Sequence, residues 1–185
     1  MRITPLEEPF DDETGPLLQS MMPPGQPPIA LFRTFARNPA MTAAMREWGA
    51  YCLSSRLSVD MRTREIIIHR VTARCGCEYE FGVHAGYFAD RVGLSGDQLR
   101  SLVSGDADDE CWTESQERAV IRMVDQLHDS ATVTQPLWDE LAAVFTEPQL
   151  LDMLMLAGWY HAISFVARAA QVSLEDGAPT FASLR

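Results

Sequence analysis

Three side chains in one short stretch of the sequence have the types and spacing that thiol or acid–base chemistry requires. Cys77, Glu80 and His84 follow one another at intervals of three and four residues, so on a helix they lie within about 60° of one face. A thiol at the start of a helix is close to unpaired backbone N–H groups and to the positive end of the helix dipole, which favour the thiolate. An imidazole can pass protons near neutral pH, and a carboxylate can assist it. The pattern predicts a sulfur nucleophile or a proton relay on this face.

A second carboxylate, Glu65, comes from the preceding predicted helix. Ser58 is expected to cap that helix, which covers 59–74 and contains a strongly apolar run. Gly76 interrupts the pattern, and the next helix covers 77–93. We expect the glycine turn to fold the first helix back beside the second, so that the Glu65 carboxylate shares one pocket with the other three side chains.

The remaining sequence is also helical in pattern, without a period-2 strand or a fixed internal repeat. Capping-box patterns begin at Ser95, Thr113 and Thr146. Predicted helices cover 29–37, 40–54, 96–104, 114–129, 135–145 and 147–171. Residues 1–28 hold seven of the eleven prolines, which predicts an irregular N-terminal arm. We therefore expect an all-α bundle of about eight helices, with one helical domain over 29–185.

The charge and the apolar content of the sequence limit which binding partners and which cellular compartment we expect. The net charge is −11 and all 15 basic residues are arginine, which argues against binding to nucleic acid or an anionic membrane. No stretch approaches the roughly 18 apolar residues of a membrane span, and the N-terminus lacks a secretory signal. These features predict a cytoplasmic protein. Cys75, Cys77 and His84 lack the second thiol pair of a structural zinc site, so we expect no metal.

The residues of this region match the motif of a known family. An Arg-x-Arg-Glu sequence ends at Glu65, the spacing from there is Glu–x11–Cys–x6–His, and Arg-Val-Gly-Leu-Ser closes the segment at 91–95. On these residues, the sequence over about 35–103 resembles the carboxymuconolactone decarboxylase family, whose core is shared with the alkylhydroperoxidase D-like proteins. The sequence over 113–175, with its C-terminal helices in 113–171, resembles the C-terminal half of the chain that is often seen in members of this subgroup.

The resemblance implies different chemistry for two branches of the family. The peroxidase branch has Cys-x-x-Cys-x-x-x-His preceded by Glu, and Cys77, His84 and Glu65 occupy three of these four positions. Glu80 stands where the second cysteine would be, which removes the resolving sulfur of a dithiol cycle. A Cys75–Cys77 disulfide could replace it, but a bridge across a single residue is strained, and we expect Cys75 to pack at the end of its helix.

The decarboxylase branch is the better match because it lacks the dithiol. It implies cofactor-independent loss of carbon dioxide from a small carboxylated substrate or lactone, followed by protonation of carbon. His84 would be the proton donor, with Glu80 or Glu65 setting its protonation. The anionic substrate needs a cation, and three arginines are close in sequence: Arg62, Arg64 and Arg74.

Two alternatives remain open beside this interpretation: a thiol peroxidase that uses Cys77, and a non-catalytic helical oligomer. The resemblance further implies a homo-oligomer, a trimer or a hexamer. The other histidines are expected to have structural roles. His69 can form a surface pair with Glu65, His128 can complement a helix dipole, and His161 can pack in the core.

Overall fold

The computed structural model describes residues 1–184, and within them the chain is helical with no strand. The prediction of an all-α fold is confirmed, with nine α-helices in the described residues. Their bounds are α1 Thr14–Gln19, α2 Ala30–Phe35, α3 Pro39–Cys52, α4 Met61–Arg74, α5 Glu78–Phe88, α6 Gly96–Ser104, α7 Ser115–Ser130, α8 Gln135–Ala142 and α9 Glu147–Ala170. One short 3₁₀ helix, Asp90–Val92, lies between α5 and α6, and another, Ala182–Leu184, lies after α9.

Helix α4 is the centre of the bundle. It packs against α5, α6, α7 and α9, and all ten residues from Thr63 to Thr72 are buried. A helix that is covered on every side must hold its polar side chains in internal hydrogen bonds or ion pairs. The polar residues of α4 therefore face other helices and not solvent, and Glu65 is one of them.

The turn at Gly76 joins α4 to α5. Gly76 has φ +63°, a left-handed conformation that costs glycine little. The Cys77 N–H bonds to the Thr72 carbonyl at 2.7 Å, which closes α4, and α5 packs back against it. The predicted break between the two helices is confirmed.

Several predicted caps differ from the observed ones. Asp60, and not Ser58, caps α4: its carboxylate accepts the Thr63 N–H at 2.8 Å, while the Ser58 hydroxyl bonds to Asp152 at 2.7 Å. The expected box at Thr113 does not form because α7 starts later, with Glu114 as its N-cap. The box at Ser95 is present. The arm over 1–28 is not wholly irregular, since it contains α1.

Helix α9 is long and apolar. By length and composition alone it would pass as a membrane span, with a mean hydropathy of 1.4 and 44% of that window buried inside the protein. Its inner face packs on α4 and α5. A core helix has the same composition, and α9 supplies core residues such as Met153, Leu156 and Tyr160.

Candidate functional site

Glu65 and His84 meet inside the bundle, as the sequence predicts. Glu65 is fully buried and His84 is 3% exposed. His84 Nδ1 lies 2.8 Å from Glu65 Oε2. The other carboxylate oxygen, Oε1, accepts the Arg64 Nε–H at 2.8 Å. The Glu65 carboxylate is thus held between an imidazole and a guanidinium, both charge-assisted partners.

The second nitrogen of His84 faces two further oxygen atoms. Nε2 lies 3.0 Å from the Tyr160 hydroxyl and 3.5 Å from Glu80 Oε1. The hydrogen bond from Nδ1 to Glu65 fixes the imidazole so that Nε2 is the atom available for proton transfer. These contacts connect five side chains into one set, called the relay: Arg64, Glu65, His84, Tyr160 and Glu80.

The charge of each group in the relay depends on its burial and on the charged side chains beside it. Burial alone would lower the pKa of His84, but the Glu65 carboxylate and then Glu80 outweigh it and raise that pKa to about 9. Burial would raise the pKa of Glu65, but His84, His69 and Arg64 outweigh it and lower that pKa. Near neutral pH the pair is therefore imidazolium and carboxylate.

Tyr160 remains a neutral phenol. Burial, followed by Glu80 and Glu65, raises its pKa well above the ordinary value. It can therefore donate its proton or accept one in a hydrogen bond, but it does not supply a phenolate near neutral pH. No local pattern in the sequence relates Tyr160 to His84, because Tyr160 reaches the relay from α9, 76 residues further along the chain.

Glu80 and His69 carry buried polar atoms that have no protein partner among the described residues. Glu80 Oε2 and His69 Nε2 are both in this state. His69 was expected to form a surface pair, but it is fully buried and its Nδ1 lies 2.7 Å from the Glu65 carbonyl oxygen. Burial lowers the pKa of His69 to about 4, so its imidazole is neutral. Unpartnered polar atoms in a buried site can bind water or a polar ligand.

Cys77 lies at the predicted helix start but is not activated. It is the N-cap of α5 and is fully buried. Burial raises the pKa of its thiol, against smaller opposing effects of the Glu80 backbone N–H and the Ser164 hydroxyl. The expectation of a thiolate stabilised by the helix terminus is wrong because desolvation of the charged sulfur outweighs the helix dipole. No hydrogen bond joins Cys77 to His84 among the residues that the structure describes.

The three candidate arginines differ in their positions. Arg64 belongs to the relay. Arg62 binds Glu117 at 2.6 Å, and Arg74 binds Asp125 at 3.1 Å. Only Arg64 can contribute a cation to the site. His161 was expected to pack in the core, but it is half-buried outside the relay, with its Nε2 3.0 Å from His128 Nδ1.

Phe88 packs against two members of the relay. Its ring lies 5.3 Å from the His84 ring, centroid to centroid, and the Arg64 guanidinium lies 5.0 Å from its centroid. Phe88 is the last residue of α5 and is partly exposed. A separate cleft of about 570 Å³ lies on the other face of α5, against Gly82, Gly86 and the C-terminal segment. The relay does not line that cleft.

Comparison with known proteins identifies the fold. No family model and no curated protein matches the sequence. Among solved structures, an uncharacterised peroxidase-related protein from Silicibacter sp. TM1040 has TM-score 0.78 and 18% identity over 100% of this chain and 97% of that chain. The debrominase Bmp8 has TM-score 0.76 and 15% identity over 94% and 92%. A putative antioxidant defence protein AhpD from Agrobacterium tumefaciens has TM-score 0.67 and 20% identity over 75% and 93%.

These similarities extend over nearly the whole of each neighbour, while the identities are too low to carry an activity from one protein to another. The family core expected from the sequence is thus supported at the level of the fold, and the decarboxylase branch is not distinguished from the peroxidase branch. The protein has the all-helical fold of the alkylhydroperoxidase D-like proteins.

Proposed function

We propose that the protein is a cofactor-independent acid–base enzyme in which His84 protonates carbon on a small carboxylated substrate or lactone. The observation that carries this proposal is the buried contact of 2.8 Å between His84 Nδ1 and Glu65, which raises the pKa of His84 to about 9. A proton is therefore present on Nε2 at neutral pH, and it points away from the carboxylate that stabilises it.

The reaction follows from this geometry. The bond between the substrate carboxylate and the adjacent carbon breaks, carbon dioxide leaves, and the electron pair remains on that carbon as an enolate-like anion. The imidazolium stabilises the developing charge and transfers its Nε2 proton to the carbon. Water then returns a proton to Nε2.

Arg64 and Phe88 are assigned to substrate binding. Arg64 shares the Glu65 carboxylate with His84, so its guanidinium can pair with the anionic group of the substrate. Rotation of the partly exposed Phe88 ring would open a path to both side chains. One structure with this fold is a cysteine-to-alanine variant of the debrominase Bmp8 in complex with 2,3,4-tribromopyrrole. That complex supports a small ring-sized substrate for the fold.

The test is turnover of carboxylated lactones by the purified protein. We expect carbon dioxide release with incorporation of one solvent deuteron into the product. His84→Gln should lower kcat by at least about 100-fold, and Tyr160→Phe should also lower it because the partner of Nε2 is lost. Tyr87→Phe is the matched control, since Tyr87 is an exposed tyrosine on α5. Turnover that survives His84→Gln would overturn the proposal.

A thiol peroxidase is the second candidate, and one observation favours it. Cys75 and Cys77 are both buried, and Gly76 alone separates them along the chain. Two thiols this close in sequence could be joined by a disulfide after oxidation. Treatment with stoichiometric peroxide followed by mass spectrometry separates the candidates. A Cys75–Cys77 disulfide that forms quickly and is reversed by a dithiol would favour the peroxidase, whereas thiols that remain reduced would favour the acid–base enzyme.

A further inference from the structure

A second cluster of reactive side chains lies outside the relay and has no part in the proposed function. Cys75, His128 and His161 place one potential metal-ligand atom each within 4.8 Å of the other two. Cys75 is the C-cap of α4, His128 lies in the last turn of α7, and His161 lies in the middle of α9. Cys75 is buried and the two histidines are half-buried.

The spacing of these atoms suits a tetrahedral metal ion. Zinc binds imidazole nitrogen at 2.0–2.1 Å and thiolate sulfur at about 2.3 Å, which sets the ligand atoms about 3.3–3.7 Å apart. His128 Nδ1 and His161 Nε2 are 3.0 Å apart. A displacement of a few tenths of an ångström in the half-buried histidine side chains would bring these two nitrogens to ligand spacing, and the Cys75 sulfur lies within 4.8 Å of both.

The backbone around the cluster orients two of the three ligands. His161 Nδ1 lies 3.1 Å from the Ala157 carbonyl oxygen, one turn earlier in α9. Donation of Nδ1–H to that carbonyl places the lone pair on Nε2, the atom that faces His128. Metal-bound histidines are oriented by this kind of outer hydrogen bond. Arg168 donates to the Cys75 carbonyl at 2.5 Å and so fixes the backbone beside the thiol.

Charges of both signs lie near the cluster. Arg74 is the basic side chain on α4 next to Cys75, and it forms ion pairs with Asp125 and Asp129 of α7. These two carboxylates compensate its positive charge. The Arg168 guanidinium donates to the Cys75 carbonyl oxygen.

We propose that Cys75, His128 and His161 bind a zinc-type transition-metal ion through one thiolate and two imidazoles, with the fourth position left for water or a small exogenous ligand. Sulfur and imidazole ligands select zinc over magnesium or calcium, which prefer oxygen. The bound ion would connect the ends of α4 and α7 to the middle of α9. It would also occupy the Cys75 sulfur and so prevent a disulfide with Cys77.

The experiment uses tag-free, chelator-treated protein, because a polyhistidine tag would bind the same metals. Equilibrium dialysis with Zn²⁺ measures affinity and stoichiometry, and Co²⁺ replaces zinc as a spectroscopic probe. We expect one ion per chain, a sulfur-to-cobalt charge-transfer band in the near ultraviolet, and a higher Tm with Zn²⁺ because the ion binds only the folded state. Cys75→Ser should remove the charge-transfer band, and His161→Ala should weaken Zn²⁺ binding by at least about tenfold.

Controls separate this site from incidental binding. Cys111→Ser removes a thiol outside the cluster and should leave both affinity and spectrum unchanged. His128→Gln provides a second ligand variant should His161→Ala fail to fold, as judged by circular dichroism. Binding that is equal in the wild type, Cys75→Ser and His128→Gln would overturn the proposal. Absence of stoichiometric Zn²⁺ binding by the folded wild type would also overturn it, and the 3.0 Å contact would then be a hydrogen bond between two histidines.

Discussion

His84 and its carboxylate partner form an ion pair whose stability depends on pH. The pKa of His84 is about 9 in the folded protein against an ordinary value near 6.5. Its contribution to the free energy of unfolding is fully present below about pH 6.5 and is lost as the pH rises through 9. The pKa of His69 is about 4, so below pH 6.5 the unfolded chain takes up a proton that the folded protein does not, and stability falls again.

We therefore expect the free energy of unfolding to be largest near pH 6.5. Above it, the His84 contribution should fall by about 1.4 kcal/mol per pH unit until the pH reaches 9. Denaturant titrations at a series of pH values measure this slope. Glu65→Gln should abolish this pH dependence, because it removes the carboxylate that raises the pKa of His84. Glu47→Gln is the control: it changes an exposed carboxylate and should preserve the pH dependence. NMR titration of wild-type His84 gives an independent reading, and a pKa near 6.5 would contradict the ion-pair assignment.

Thiol reactivity should follow burial and not position at a helix start. Cys52, Cys75 and Cys77 are buried in the structure, while Cys111 is partly exposed. Iodoacetamide at neutral pH should therefore label Cys111 first, and Cys77 should react only after unfolding. Peptide mass spectrometry after short labelling times measures this order. Labelling of Cys77 as fast as Cys111 in the folded protein would show that the thiol is accessible and would revive its role as a nucleophile.

At the scale of the element, the turn at Gly76 aligns α4 with α5 and so brings Glu65 to His84. Its φ of +63° is the conformation that residues with a side chain adopt at a cost of about 1–2 kcal/mol. A Cβ added there would lie 3.5 Å from the Arg168 guanidinium, an ordinary contact. The cost of a substitution is therefore backbone strain and not a clash.

Gly76→Ala should lower the free energy of unfolding by about 1–2 kcal/mol. Gly49→Ala is the matched control, since Gly49 lies within α3 with open space around it, and alanine there should stabilise the helix by up to about 1 kcal/mol. Chemical denaturation of both variants measures the difference. Equal effects of the two substitutions would mean that the left-handed turn is not a constraint on the fold.

At the scale of the whole molecule, the outer face of α9 carries large apolar side chains into solvent. Leu151 is 63% exposed, Met155 55% and Phe165 65%, and helical spacing places them on one face. Soluble proteins seldom leave such a contiguous apolar stripe uncovered. We propose that a second copy of the chain packs on it, in line with the homo-oligomer that the sequence resemblance implies.

Phe165→Glu should shift the protein towards a smaller species in light scattering coupled to size-exclusion chromatography, because a charge cannot be buried at a helix contact without a partner. Val144→Glu is the control, since Val144 is exposed but lies beyond the C-terminus of α8. A wild type that is monomeric at all concentrations would contradict the proposal, as would identical oligomers for wild type and Phe165→Glu.

Three features could be predicted from the amino-acid sequence alone: the helical class, the break at Gly76 and the convergence of Glu65 with His84. These depend on local rules: the period of the apolar residues, the conformational freedom of glycine, and the motif spacing that fixes which residues share a helix face. The same rules placed Glu80 beside His84, because residues four apart on a helix are neighbours.

Properties that depend on burial and on contacts between distant helices could not be predicted in this way. The Cys77 thiol is not stabilised as a thiolate, because surrounding side chains exclude water from it. The spacing of residues along one helix cannot indicate this burial. Tyr160 reaches His84 from α9, and His128 and His161 meet Cys75 from α7 and α9, so no local pattern relates them. Desolvation and long-range packing together set the charge of a buried group, and both depend on the whole fold.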